Sequence, residues 1–274
     1  MTTTKKSKAL MYILTTLLVL LFLFPLIWML LTSFKSAEEI LRVPPTILPD
    51  QFNLKNYADA LAKQPIFRFL FNSLVVSLGS AAFSVLITAM AGYGFSKFNF
   101  RGKEAMFFLI LSFLIVPFQS IVVPLYKRIT KFGLTDTYLG IALPLLVSAF
   151  GVFLMRQAMD TIPNDLIEAA RIDGCGEFKT FLLIVLPNVK TFVATQAIIK
   201  FLWSWNEFYW PLVITNKPEM KVITVGIQSF TSMYYTEYNL VMAAAVLSIL
   251  PMAIMFAIFQ KGIVRAVSMS GVKG

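Results

Sequence analysis

The sequence predicts an all-α integral membrane protein with six transmembrane helices and a polar cytosolic loop between the fourth and the fifth. Three observations carry that prediction. Hydrophobic side chains make up 58% of the 274 residues, charged ones only 14%, and the mean hydropathy is +0.76, outside the range of ordinary soluble domains. Apolar runs of membrane-spanning length recur along the chain. One segment, 156–190, breaks the pattern by mixing charged with apolar residues, which makes it too polar to cross a bilayer.

Composition narrows the class further. The 26 Phe and 13 Met suit lipid-facing and helix-packing surfaces that a soluble domain would have to expose. The single cysteine, Cys175, rules out an internal disulfide framework. With no histidine, the chain also lacks the usual ligands of zinc, haem and iron–sulfur clusters and the commonest general base. The net charge of +10 does not point to nucleic acid, because the basic residues lie between long apolar runs, as membrane proteins place them.

Taken in order, residues 1–8 form a cytosolic amino terminus carrying Lys5, Lys6 and Lys8. The run 9–32 contains no charge. As a helix it would be roughly 36 Å long against a hydrocarbon core of about 30 Å. It is too long for a signal peptide and no small-residue cleavage site follows, so it is predicted to be an uncleaved first span. Pro44, Pro45 and Pro49 then break any helix, and Leu54, Tyr57, Ala58 and Leu61 recur at helical spacing, which predicts a short helix on the outer surface. Further spans are predicted at 71–95, 105–126, 138–155, 191–214 and 239–260, followed by a cytosolic tail, 263–274. Pro25, Pro117, Pro124, Pro144, Pro211 and Pro251 fall inside these runs, where neighbouring helices can satisfy the freed carbonyls. With the amino terminus inside, 13 Lys and Arg fall on the cytosolic side against ten outside. The bias agrees with that orientation, although Lys127, Arg128 and Lys131 lie against it.

The polar loop carries the strongest signal. It reads Glu168-Ala169-Ala170, three residues, Gly174, nine residues, Ile184, one residue, Leu186-Pro187. This spacing predicts two short helices broken by a turn. Pro163 suits a first helical turn, Gly174 the left-handed conformation that ends a helix, and Pro187 the end of the second. Ala169 and Ala170 let another surface approach the backbone, and Glu168 offers a charge to a basic partner. Leu166, Ile167, Phe178 and Phe181 add apolar contacts that a solvated loop would not need. An amphipathic helix lying on the bilayer is the alternative.

On these residues the chain resembles the permease subunits of ATP-binding-cassette importers, whose cytosolic loop has the same pattern at every named position. The Asp173-Gly174 pair, Trp205-Asn206-Glu207-Phe208, Asn56-Tyr57, Asn72-Ser73 and the closing Gly271-Val272-Lys273-Gly274 are similar to the carbohydrate-uptake branch and, within it, to six-span, MalG-like members. The resemblance implies a bacterial or archaeal inner-membrane assembly. This chain would join a MalF-like second permease, two cytosolic ATPase subunits and an extracytoplasmic solute-binding protein, with ATP and Mg used by the ATPase. The chain itself has no Gly-rich phosphate loop, so no nucleotide site is expected here. By the same resemblance, Glu168, Ala169, Ala170, Asp173, Gly174, Ile184, Leu186 and Pro187 belong to a coupling helix that docks on the ATPase. Residues 271–274 would contact the ATPase pair. The loop would then be cytosolic, and both termini with it.

Two other classes fit the residues less well. An ion-gradient-driven transporter calls for buried acidic residues and internal repeats, yet Lys200 and Glu207 are the sole charges in the six spans and the halves show no repeat. An intramembrane enzyme would need paired Asp or clustered His, and no Asp lies in any span. In the fifth span Lys200 falls roughly 14 Å in, and Glu207 roughly 24 Å. A lysine at that depth costs about 3 kcal/mol on insertion scales, so it faces a cavity or a partner helix, or snorkels. Trp203, Trp205, Tyr209 and Trp210 fit either interfacial anchoring or stacking on a sugar ring, and Lys200, Trp205, Asn206 and Glu207 are the candidates for passage or partner contacts.

Overall fold

A computed structural model describes the backbone of residues 5–271 and the side chains of Lys8 and of residues 10–257. Fifteen helices follow in chain order among the described residues: α1 (Lys5–Thr32), α2 (Ala37–Ile40), α3 (Lys55–Lys63), α4 (Ile66–Lys97), α5 (Lys103–Ser112), α6 (Phe118–Lys131), α7 (Tyr138–Ala142), α8 (Ala149–Asp160), α9 (Asn164–Ile172), α10 (Glu177–Thr180), α11 (Leu186–Asn188), α12 (Lys190–Asn206), α13 (Tyr209–Ile214), α14 (Ile223–Gln228) and α15 (Tyr238–Gly271). Apart from an isolated antiparallel bridge between Thr231 and Thr236, all regular structure among the described residues is helical.

Among the described residues, three helices are long and apolar enough to cross a membrane: Leu10–Thr32 of α1, Ile66–Lys97 (α4) and Tyr238–Ala257 of α15. Two bent pairs raise the number to as many as five, Tyr138–Leu145 with Ala149–Asp160 at 53° and Glu177–Asn188 with Lys190–Asn206 at 83°. The expected run 105–126 is not one helix. It stops at Ser112 and resumes at Phe118, because Pro117 sits extended ahead of α6 (φ −62°, ψ 128°) and has no N–H to continue α5. The run 191–214 breaks between Asn206 and Tyr209 for the same reason. Pro211 cannot donate to the carbonyl of Glu207, and that carbonyl accepts instead from Thr224 Oγ1 at 2.8 Å.

The chain divides into two compact units, Met1–Phe67 with Gly226–Pro251 and Arg68–Val225 with Met252–Gly274. In the first, α3 is placed by an amide. Asn56 Nδ2 donates to the carbonyls of Ser33 and Lys35, both at 2.8 Å, and Asn56 Oδ1 accepts from Asn239 Nδ2 at 2.9 Å. The buried face of α3 is therefore Asn56 and Ala60, while Leu54 is exposed. The apolar spacing predicted the neighbouring face. Satisfying two backbone carbonyls away from water outweighs burying one leucine.

In the second unit, α4 presents a stripe of small polar residues. Ser73, Ser77, Ser80, Ser84 and Thr88 are all at most 2% exposed and recur at intervals of three or four, which puts them on one helix face. Gly92 continues the stripe. A Cβ there would lie 2.7 Å from Met155 Cβ and 2.8 Å from the Met155 carbonyl carbon, so α8 rests on the α4 backbone at this point. One turn along, Gly151 of α8 leaves room for Thr88 and Gln196.

The amide device recurs at the start of α4. Asn72 Nδ2 donates to the carbonyls of Glu219 and Lys221, both at 2.8 Å, and Asn72 Oδ1 accepts from the Tyr138 hydroxyl at 2.7 Å. Ser73 Oγ next to it accepts from the Ile223 N–H at 2.8 Å. Asn72→Leu keeps the volume and leaves two carbonyls and a hydroxyl unpaired, which predicts a loss of about 2–4 kcal/mol. Tyr138→Phe, which orphans one amide oxygen, is expected to cost about 1 kcal/mol. Thermal unfolding of the solubilised variants checks the order, and equal melting temperatures for wild type and both variants would contradict it.

Candidate coupling site and transmembrane cavity

The coupling motif folds as a helix, a left-handed stop and a second helix. Pro163 (φ −59°) precedes α9, and Gly174 ends it at φ 78°, a conformation costly for any residue with a Cβ. The Cys175 N–H returns to the Ala170 carbonyl at 2.9 Å and the Gly174 N–H to Arg171 at 3.0 Å, closing the helix end. Past Gly176 the chain enters α10, then a wide π turn, Phe181–Val185, then α11, which carries Pro187. At Val189 it bends into α12.

α9 has two faces with different tasks. Ile167, buried, joins a cluster with Tyr93, Met155, Met159, Phe181 and Val185, and Ala170 is buried beside it on the same face. Glu168, Ala169, Asp173 and Gly174 are exposed, with Ile172 86% and Phe178 65% exposed. The two alanines thus differ, because a residue directly after another on a helix is turned by about 100°: Ala169 lies open to an approaching surface and Ala170 is packed inward. In the second half of the motif, Ile184 and Leu186 are half-buried and Pro187 is exposed. Large apolar groups left open beside an acidic residue form a surface suited to a protein partner rather than to water.

Glu177, which sequence reading passed over, braces the turn. Its Oε1 accepts from Arg171 Nε at 2.7 Å and its Oε2 from the Tyr93 hydroxyl at 2.9 Å, joining α9 and α10 to the end of α4. The Arg171 guanidinium holds this carboxyl below the ordinary carboxylate range; partial burial opposes the shift and the Tyr93 hydroxyl adds to it. The clamp is therefore intact above the unfolded value of about 4.3 and is lost as pH falls through the lowered one. Two more ties come from α4: Lys97 Nζ donates to the Ile162 carbonyl at 2.6 Å and to Asn164 Oδ1 at 3.1 Å, and Ser96 Oγ bonds Asp160 Oδ1 at 2.6 Å. No local pattern announces the Tyr93–Glu177 bond, whose partners are 84 residues apart.

The fifth-span candidates separate. Lys200, Asn206 and Glu207 line one open cavity of about 350 Å³, together with Trp203, Ser204 and Leu145. Trp205 is turned away from it, 2% exposed and stacked on Phe201 at 5.7 Å. Trp210 is fully buried, its Nε1–H donating to the Gly140 carbonyl at 3.0 Å, so its ring serves the core rather than a membrane interface. Residue 203 is one turn from 200 and one from 206–207, which is why its indole shares their face. Gly271 closes the described backbone, and Val272, Lys273 and Gly274 lie outside the described residues.

Comparison with known proteins agrees with this arrangement. The family described as binding-protein-dependent transport system inner membrane component matches residues 84–269, more than half of the chain. The chain is 36% identical over 261 residues to the arabinooligosaccharides transport system permease protein AraQ of Bacillus subtilis (strain 168), covering 94% of this chain and 93% of that one. It is 32% identical over 254 residues to the lactose transport system permease protein LacG of Rhizobium radiobacter, covering 93% and 92%. It is 34% identical over 256 residues to the sn-glycerol-3-phosphate transport system permease protein UgpE of Rhizobium meliloti (strain 1021), covering 90% and 91%. Its fold is similar to the crystal structure of a bacterial ABC transporter involved in the import of the acidic polysaccharide alginate, with a TM-score of 0.80 at 21% identity over 95% of this chain and 99% of that one. All-helical, with several helices fit to cross a bilayer, this multi-pass chain belongs to the family of binding-protein-dependent transport system inner membrane components.

Proposed function

We propose that this chain is a membrane-spanning permease subunit of an ATP-driven importer of sugars or similar polar solutes, working with a MalF-like second permease, two cytosolic ATPase subunits and an extracytoplasmic solute-binding protein. The relatives named for arabinooligosaccharide, lactose and sn-glycerol-3-phosphate transport support the solute class. ATP and Mg act in the ATPase subunits, and this chain converts their movement into a change of access. The observation that carries the reading is the two-faced α9, open through Glu168, Ala169, Ile172 and Asp173, anchored through Ile167 and Ala170.

Force applied to α9 has a defined route. Closure of the ATPase pair displaces the docked helix, and the Glu177 clamp and the Lys97 bonds pass that displacement to α4. The close contact at Gly92 carries it on to α8. Packed elements with two discrete arrangements convert such a shift into rigid-body rearrangement around a central passage. The proposal keeps six spans at the predicted positions, with α5 and α6, α7 and α8, and α12 and α13 each counted as a single crossing, both termini cytosolic, the loop 156–190, α10 and α11 included, cytosolic, and residues 271–274 in contact with the ATPase pair.

Two outcomes follow. In a cysteine-free background, made by replacing Cys175, a cysteine at Asp59 reacts in intact cells with an impermeant thiol reagent and one at Asp165 does not; labelling at 165 contradicts the six-span arrangement. Glu168→Lys reverses the charge at the docking face and is expected to lower ATP-driven uptake about tenfold or more while membrane insertion is unchanged. Uptake at the wild-type rate in that variant would remove the docking role.

A further inference from the structure

Lys200 is the one buried charge of α12 that the coupling route leaves unused. It is 6% exposed, and among the described residues its Nζ makes no hydrogen bond and no ion pair within 4.0 Å. It nevertheless lines the open cavity together with Glu207 and Asn206. Glu207 Oε1 accepts from the Trp210 backbone N–H at 3.2 Å, and Asn206 Nδ2 donates to the Leu202 carbonyl at 2.8 Å, which leaves the Asn206 carbonyl oxygen free to accept. The Ser204 hydroxyl is also buried, behind the cavity wall, without a partner among the described residues. Beside these groups stands the Trp203 indole, 54% exposed and set by Phe150 at a ring distance of 5.6 Å. A cavity carrying an ammonium and a carboxylate at this depth in a span is costly against hydrocarbon and is favoured facing water, solute or protein.

We propose that this cavity is a solute-contact site on the chain, and that it takes an uncharged polyhydroxyl solute, a neutral sugar, in preference to a phosphate or a uronate. This rests on the importer reading above. The chemistry discriminates because the open unspent groups are of both kinds: the ammonium donates, and the carboxylate and the Asn206 oxygen accept. Sugar hydroxyls also donate and accept, so they can satisfy the ammonium, the carboxylate and the Asn206 oxygen together, and the apolar face of a pyranose or furanose ring stacks on an exposed indole. The formal charges of Lys200 and Glu207 cancel. An anion drawn by the lysine meets the carboxylate in the same cavity, whereas a neutral sugar carries no charge to be repelled.

The complete importer, with its binding protein, is tested for ATP-dependent uptake of labelled neutral saccharides including lactose and arabinotriose, of sn-glycerol 3-phosphate and of an oligouronate. Wild type is expected to take up a neutral saccharide. Trp203→Ala and Lys200→Met are expected to lower that uptake about tenfold, and Trp203→Phe to stay within about twofold of wild type, with the partner permease recovered in normal yield. Glu207→Gln, which leaves the lysine uncancelled, is expected to raise the KM for the neutral solute and relieve exclusion of the anionic one. Four results overturn the proposal: wild-type uptake confined to the phosphate or the uronate, Trp203→Ala and Lys200→Met both at wild-type uptake, equal losses in Trp203→Ala and Trp203→Phe, or loss of the partner permease in Lys200→Met, which makes the lysine an interface residue. Absence of ATP-dependent uptake of every solute sinks the importer reading itself, and the site with it.

Discussion

The close approach of α4 and α8 is the constraint on which the second unit depends. Both helices present glycine where they meet, and at Gly92 the neighbouring backbone lies so near that even a methyl group would overlap it. Within a membrane, hydrophobic burial does little to bring helices together, since lipid chains are as apolar as leucine; close packing and polar contacts do that work. The stripe of serines and a threonine along α4 supplies small surfaces for such packing. The crossing then places Tyr93, one residue beyond Gly92, at the turn of the coupling segment, and Met155 and Met159 in the cluster that seats Ile167. Arg156, next to Met155, pairs with Glu104 through both terminal nitrogens at 2.6 and 3.0 Å and lies 4.2 Å over the Phe107 ring, which fastens α5 to the same frame.

Polar side chains, rather than extra apolar area, fix the irregular parts. Asn56 and Asn72 use the same arrangement, two amide hydrogens on two carbonyls and one oxygen taken by a donor from elsewhere. Asp136, held at φ 56°, accepts the backbone N–H groups of Asn216 and Lys217 at 2.6 and 2.9 Å. Each device satisfies backbone groups that no helix supplies, and unsatisfied ones cost most where water is scarce. The break at Pro211 belongs to the same logic. A helix interrupted inside a membrane protein survives when another side chain replaces the missing bond, as Thr224 does for the Glu207 carbonyl.

These features sort the chain into a stiff frame and exposed working surfaces. Charged hydrogen bonds tie the candidate coupling segment to α4 at two places, through Glu177 and through Lys97, while its outer face, acidic at Glu168 and Asp173 and apolar at Ile172 and Phe178, stays open. The cavity around Lys200 has the opposite character. Its polar groups are largely unspent, and they stand along one side of a helix whose other side, at Phe201 and Trp205, is packed. In the proposed function the first is where movement enters the subunit and the second is where it meets the solute.

Much of this was legible in the residues. Hydropathy determined the membrane class and the all-helical fold, and Gly174 and Pro163 determined the break and the entry of the coupling helix, because left-handed backbone and a fixed φ are properties of single residues. The spacing of Glu168, Ala169, Ala170 and Gly174 marked the segment itself. Which alanine faces outward, which tryptophan enters the cavity and which face of α3 is buried depend on partners distant in the chain, and these only the tertiary structure decided. Trp203 and Trp205 are two residues apart on one helix, so they point to different sides, and composition is silent about which side is the open one. Asn56 likewise reads as a polar interruption until the carbonyls of Ser33 and Lys35 are brought to it. Local chemistry determines what a residue can do; the long-range packing of α4, α8 and α12 decides which of those capacities is used.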